Sequence, residues 1–180
     1  MILAYHFVGR SLRDERPVPP DGEWLEHKAP LIMCESGLHA SEHPFDALSY
    51  APGQTLCLVE LDGEYIRDAD KIVASRRRIL RRLDAAPLLH EFARWCALQV
   101  IHLWDAPPVV REYLETGRED IVAATAAAAR AAAEAATATR AAGAAGAAVA
   151  ARAAQREKFK QMVEQAFGAA TNTERTKGRR

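Results

Sequence analysis

Cys34, Glu35, His39, Glu42 and His43 fall within ten residues, the densest run of reactive side chains in the chain. Cys34, His39 and His43 are of the types that bind zinc, but their spacing matches no zinc knuckle and no fourth ligand is evident nearby. The residues therefore read as no metal site, with Cys34 a small buried apolar group and His39 a structural hydrogen-bonding one. A second run, Arg76, Arg77, Arg78, Arg81 and Arg82, puts five guanidinium groups in seven residues. These are the candidate anion-binding residues. Such a run either holds phosphate or pairs with carboxylates of the same protein. A third set, Phe159, Met162, Val163 and Phe167, recurs at helical spacing with charged residues between. An apolar stripe with two phenylalanines needs a surface to cover it, so these are the candidate partner-binding residues. The favoured cover is the chain's own body or another copy, ahead of a foreign protein.

Several chemistries leave no trace. There is no glycine-rich phosphate loop, no nucleophile elbow and no His-Glu-x-x-His. His90 and His102 are twelve residues apart and are not a one-turn ligand pair.

The elements that would position these groups can be read from pattern. Met1–Val8 is apolar on both alternating faces and reads as a buried strand. Pro17 to Gly22 is a loop, and Glu23–Lys28 and Leu31–Cys34 read as short strands. Ser41 or His43 caps a short helix, Phe45 to Tyr50, with Pro44 in its first turn. Thr55–Leu61 is the clearest strand, ending in a turn at Asp62-Gly63. Residues Lys71–Leu83 fit a strand or a helix, and the strand is favoured because a β-rich region precedes it. Ala86–Trp104 repeats apolar residues at helical spacing after a capping Asp84. A short helix from Val109 to Glu115 closes at Gly117.

Between Ala123 and Ala154, 22 of 32 residues are alanine. Alanine has the highest helix propensity, so this tract is helical on local grounds. Gly143 and Gly146 are its weak points, where one long helix could bend or fold into a hairpin. Thr171–Arg180 is polar and basic and reads as disordered. The chain thus divides into an α+β body at 1–118, a helical arm at 119–168 and a basic tail at 169–180. The fold class is α+β: a small, mostly antiparallel sheet with a covering helix, Ala86–Trp104, followed by a long Ala-rich C-terminal helix.

Charge is divided the same way. Residues 1–120 carry 14 Lys and Arg against 20 Asp and Glu, and residues 121–180 carry 10 against 4, although the whole chain is neutral. An acidic body makes nucleic acid the less favoured partner and protein, self or foreign, the more favoured one. The three cysteines are widely spaced and odd in number, which fits a reducing cytoplasm. The N-terminus has no signal-peptide pattern, and the charged Ala tract is no membrane span.

The run WLEHKAPLIMCESGLHASEHPFDALSYAPGQTLCLVELDGE, then HLWDAPPVVREYLETG and the Ala/Arg-rich tail, resembles a group of bacterial and phage-associated proteins of unknown function. The shared pattern is C-x-S-G-(aromatic or Leu)-His, a Pro-x-Asp-x-Leu helix start and a V-E-x-x-G strand. A cysteine in relatives, where this chain has Ser41, implies that a metal is not held here. Tyr5-His6, then Gly37-Leu38-His39-Ala40 with Tyr50 following, then Leu58-Val59-Glu60, resembles a fragment of the ADP-ribosyltransferase core. That resemblance implies NAD as a substrate, with His6 on the nicotinamide ribose and His39 and Tyr50 flanking the nicotinamide ring. Phe7 replaces the glycine of that pattern, and no later strand offers a catalytic glutamate. The expectation is a non-enzymatic interaction or assembly module without a cofactor, its arm used for oligomerisation or docking. The alternative is a divergent ADP-ribosyltransferase-like enzyme.

Overall fold

The computed structural model describes residues 1–136 and 145–177. Five strands form an antiparallel sheet: β1 (Ile2–Val8), β2 (Trp24–Glu26), β3 (Leu38–Ala40), β4 (Thr55–Arg67) and β5 (Ile72–Asp84). Its helices are α1 (Pro44–Leu48), α2 (Ala86–Val100), α3 (Pro108–Thr116), α4 (Val122–Ala136) and α5 (Ala145–Lys177). The class is α+β with a long C-terminal helix, as the sequence predicts.

The sheet is built on one long hairpin. β4 and β5 pair along their length, and Asp68 N–H to Lys71 O (2.8 Å) closes the turn. The turn expected at Asp62-Gly63 is instead a bulge. Gly63 takes φ +76°, the register shifts between Asp62 and Tyr65, and the strand continues to Arg67. A left-handed glycine can absorb one extra residue in a ladder without reversing the chain. The segment left open between strand and helix, Lys71–Leu83, is strand β5. Leu31–Cys34, expected as a strand, is a tight turn closed by Ile32 and Ser36. Cys34 sits there at φ +66°, a conformation that no strand residue adopts.

β1 lies on the outer side of β4. β2 and β3 lie in tandem along the outer side of β5. Beyond β3, Tyr5 and Ser41 form a further antiparallel bridge, which ties the chain after β3 back to β1. One face of the curled sheet carries the apolar cluster Ala4, Val8, Ala40, Cys57, Val59, Leu61, Ile72, Ala74 and Ile79. Alternation sends Tyr5, Phe7, Leu56 and Leu58 to the other face.

The chain divides into two compact units, Met1–Ala86 with Phe159–Arg180, and Pro87–Lys158. The boundary expected at residue 118 does not coincide with this division. The reason is the stripe at the chain's end. Phe159, Met162, Val163 and Phe167 are all buried. Phe159 meets Phe45 edge-on at 6.2 Å, and Phe167 lies 6.5 Å from Tyr5. The Arg81 guanidinium lies over the Phe167 ring and donates to the Phe167 carbonyl at 2.6 Å. The helix packed within the sheet's unit is therefore the end of α5. The residues from 169 onward, expected as a disordered tail, continue α5 to Lys177. No proline interrupts them, and Gly168 is accommodated within the helix.

In the other unit α2 buries Leu88 and Phe92 and stacks Phe92 on Trp95. Gly117 ends α3 at φ +69°, and Thr125 of α4 donates its hydroxyl to Val109 O. The choice between one helix and a hairpin at Gly143-Gly146 turns on 137–144, outside the described residues.

Candidate functional site

The Cys34–His43 run is organised around the imidazole of His39. Cys34 N–H points at His39 Nε2 (2.9 Å), so that nitrogen accepts and Nδ1 carries the proton, which it gives to Gly37 O (3.2 Å). Both ring nitrogens are thus engaged by backbone, the structural role expected for His39. The ring's pKa is lowered, first by burial, with the cations Arg77, Lys71 and Arg13 acting the same way and the Gly37 bond opposing. Gly37 enables this fold-back. It holds φ +121°, and a Cβ there would overlap Val73 and come within 2.9 Å of Leu31. The loop before it is fixed by Ser36, whose hydroxyl donates to Pro30 O and accepts from His27 Nε2, both at 2.9 Å.

Cys34 is exposed and not buried as expected. The left-handed turn carries its side chain outward, and Arg13 holds its carbonyl at 3.0 Å. The Cys34 side chain, and the Tyr50 hydroxyl to which Lys71 donates at 3.2 Å, hold the Lys71 ammonium above the usual lysine range. His43 accepts from Phe45 N–H through Nδ1 as the N-cap of α1. Among the described residues no group of three His, Cys, Asp or Glu side chains could hold a metal ion.

The three residues aligned with the ADP-ribosyltransferase pattern are placed unequally. His6, on β1 opposite Cys57, is close enough to His39 and Arg77 to feel both. Burial first, then Arg77, then His39 hold its imidazole well below the usual range. Tyr50 is half exposed, and its hydroxyl donates to Asp70 at 2.6 Å. Glu60 is three residues from the partner of His6, and so on the opposite face, where it pairs with Arg78 at 2.5 Å.

The five arginines also separate by face. Arg76 and Arg78 stack on Trp24 of β2 at 4.5 and 4.7 Å and pair with carboxylates, Arg76 with Asp62 and Glu26 and Arg78 with Glu60. Arg82 binds Asp21 at 2.6 Å and the Pro19 carbonyl. Arg81 is held by the Phe167 carbonyl and ring of α5, as described. This is the pairing with the body's own acids that stood as the alternative to phosphate. Arg77 differs from the other four. It is only 6 % exposed, and its guanidinium donates to His39 O at 2.5 Å with no carboxylate partner among the described residues. Burial pushes its pKa down to about 10, so it remains a cation at neutral pH. Period-two alternation separates Arg77 from Arg76 and Arg78, but an arginine run does not announce which member faces inward.

Residues 2–91 match a domain of unknown function, DUF7666, over half of the chain. This chain belongs to that family. No curated protein and no solved structure matches it. The DUF7666 match takes in the whole sheet, Gly37, His39, His6 and the arginine run. The α5 residues that pack on the DUF7666 sheet lie beyond the matched segment.

Proposed function

We propose that the chain is a non-enzymatic interaction or assembly module that acts in the cytoplasm, consistent with its resemblance to phage-associated proteins. The carrying observation is the surface of the second unit. Val100 at the end of α2, Leu103 and Trp104 in the turn that follows it, Val122 at the start of α4 and Val149 in α5 are all exposed, Leu103 at 72 % and Val149 at 73 %. The α4 segment offers little but methyl groups for a core of its own, since its only buried side chain among those described is Thr125. Exposed apolar side chains on elements with so little to bury favour association with protein. Phe159, Met162, Val163 and Phe167 are not part of that surface, because the chain's own sheet unit covers them. No described helix is long and apolar enough to cross a membrane.

Sedimentation of the full chain between about 1 and 100 μM tests this. A multimer that dissociates in Leu103→Glu/Trp104→Glu is expected. A monomer at every concentration overturns the assembly reading. Truncation at 118 is no test, because it strips Phe159 and Val163 from the sheet unit. The transferase alternative has against it that both ring nitrogens of His39 are held by backbone and that Glu60 faces away from His6. Incubation with labelled NAD should give neither transfer nor hydrolysis.

A further inference from the structure

Arg77 is a buried cation whose charge no carboxylate among the described residues balances. An unpaired ion in a protein interior is strongly unfavourable, whereas a charge-assisted bond to an anion is among the strongest polar contacts available. Each of its four neighbours in the run is matched: Arg76, Arg78 and Arg82 to carboxylates, Arg81 to the Phe167 carbonyl and ring in α5. Among the described residues Arg77 bonds a single backbone carbonyl, which leaves the rest of its donor fork without a protein partner. The second unused donor is His6, a part-buried imidazole with no hydrogen bond to any described residue. The Tyr5–Ser41 bridge brings these together. It draws β1 against the end of β3, whose His39 carbonyl holds Arg77, and His6 is the next residue along β1.

We infer that His6 and Arg77 form a receptor for the carboxylate of a small ligand, inside the curl of the sheet. The charge balance selects the anion. One guanidinium beside a neutral imidazole matches one negative charge, and the flat guanidinium fork matches a planar carboxylate. A phosphate dianion would bring a second charge beside the buried apolar cluster of Ala4, Ala40 and Val59, and among the described residues Arg77 is the one cation that acts on His6. The charged and titratable groups facing His6 are Arg77, His39 and its cross-strand partner Cys57, whose thiol burial pushes up to about 11 and so keeps neutral. The site lies in the sheet unit and does not depend on the assembly reading.

The test is an NMR titration of the His6 Cε1–H signal in the full chain, assigned with His6→Gln, using acetate, inorganic phosphate and chloride at matched ionic strength. Acetate should give a saturable shift and raise the pH at which His6 titrates by about one unit, since an adjacent anion favours imidazolium. Arg77→Met should weaken acetate at least about tenfold, and Arg77→Lys, which keeps the charge but not the fork, by less. The wild-type titration decides even if Arg77→Met does not fold. A response to phosphate that exceeds acetate overturns the carboxylate assignment. No saturable response to acetate, or one that Arg77→Lys and Arg77→Met leave intact, overturns the site.

Discussion

Tyr5 and Ser41 exchange both backbone hydrogen bonds, Tyr5 N–H to Ser41 O at 2.7 Å and Ser41 N–H to Tyr5 O at 2.9 Å. The two residues lie 36 apart in sequence, one in the first strand and the other just past the third. Their pairing returns the sheet's far side to its first strand and sets His6 beside the loop that Gly37 and His39 organise. Tyr5 also faces Phe167, so the same strand carries the cover supplied by α5.

Gly37→Ala should be among the most damaging small substitutions. It adds a methyl group where Val73 and Leu31 already stand and forces a non-glycine residue to φ +121°. A loss of about 2–4 kcal/mol is expected from strain and overpacking together. Gly22→Ala, at φ +86° with nothing within 4 Å, should lose only about 1 kcal/mol. Denaturant melts of the two variants make the comparison. Equal losses would mean that close approach at Gly37 is not what matters.

Phe159→Ala should destabilise the sheet unit by about 3–5 kcal/mol, as for a fully buried aromatic ring. Gln165→Ala, at an exposed position of the same helix, should stay within about 0.5 kcal/mol. Hydrogen exchange adds a second readout. Amides of β1 should lose protection in the first variant and keep it in the second.

Glu60 is buried and relies on Arg78, itself stacked on Trp24. Arg78→Met leaves that carboxylate without its partner and should cost about 2–3 kcal/mol, discounted because Arg78 is one-third exposed. Adding Glu60→Gln should recover part of the loss. A double-mutant cycle with no coupling would show that the pair contributes packing alone.

Acid should weaken the fold through His6. Its folded pKa lies well below the ordinary 6.5, because burial, Arg77 and His39 disfavour the imidazolium. Below pH 6.5 the unfolded chain therefore binds a proton that the native state refuses, and stability falls until the folded pKa is reached. His39 is shifted the same way and adds to the slope. Above pH 6.5 neither contributes. Urea melts from pH 7.5 to pH 4.5 should show this slope, and His6→Gln should flatten it. An unchanged slope in that variant would assign the effect elsewhere.

How much could be read without the fold depends on how local each signal is. The Asp84, His43 and Gly117 caps, the first half of the β4 strand and the α2 helix rest on side chains within a few residues of the backbone they satisfy, and each was legible. Cys34 and Leu31–Cys34 were misread because a turn of three residues with one left-handed member looks, by composition, like a short strand. The same limit hid Arg77. Five arginines in a run have one chemistry, and only the strand register and the curl of the sheet make one of them interior.

Composition and periodicity alone determined the class, the long C-terminal helix, the amphipathic stripe at the chain's end and the separation of charge along it. These are sums over neighbours along the chain. Where the stripe docks, which arginine is buried and which histidine is left with open donors were decided by pairings between distant residues. Phe159 to Phe45, Tyr5 to Ser41 and Arg77 to His39 span from 36 to 114 positions of sequence. Such contacts depend on which surfaces meet when the chain closes on itself, and no local pattern of residues encodes that.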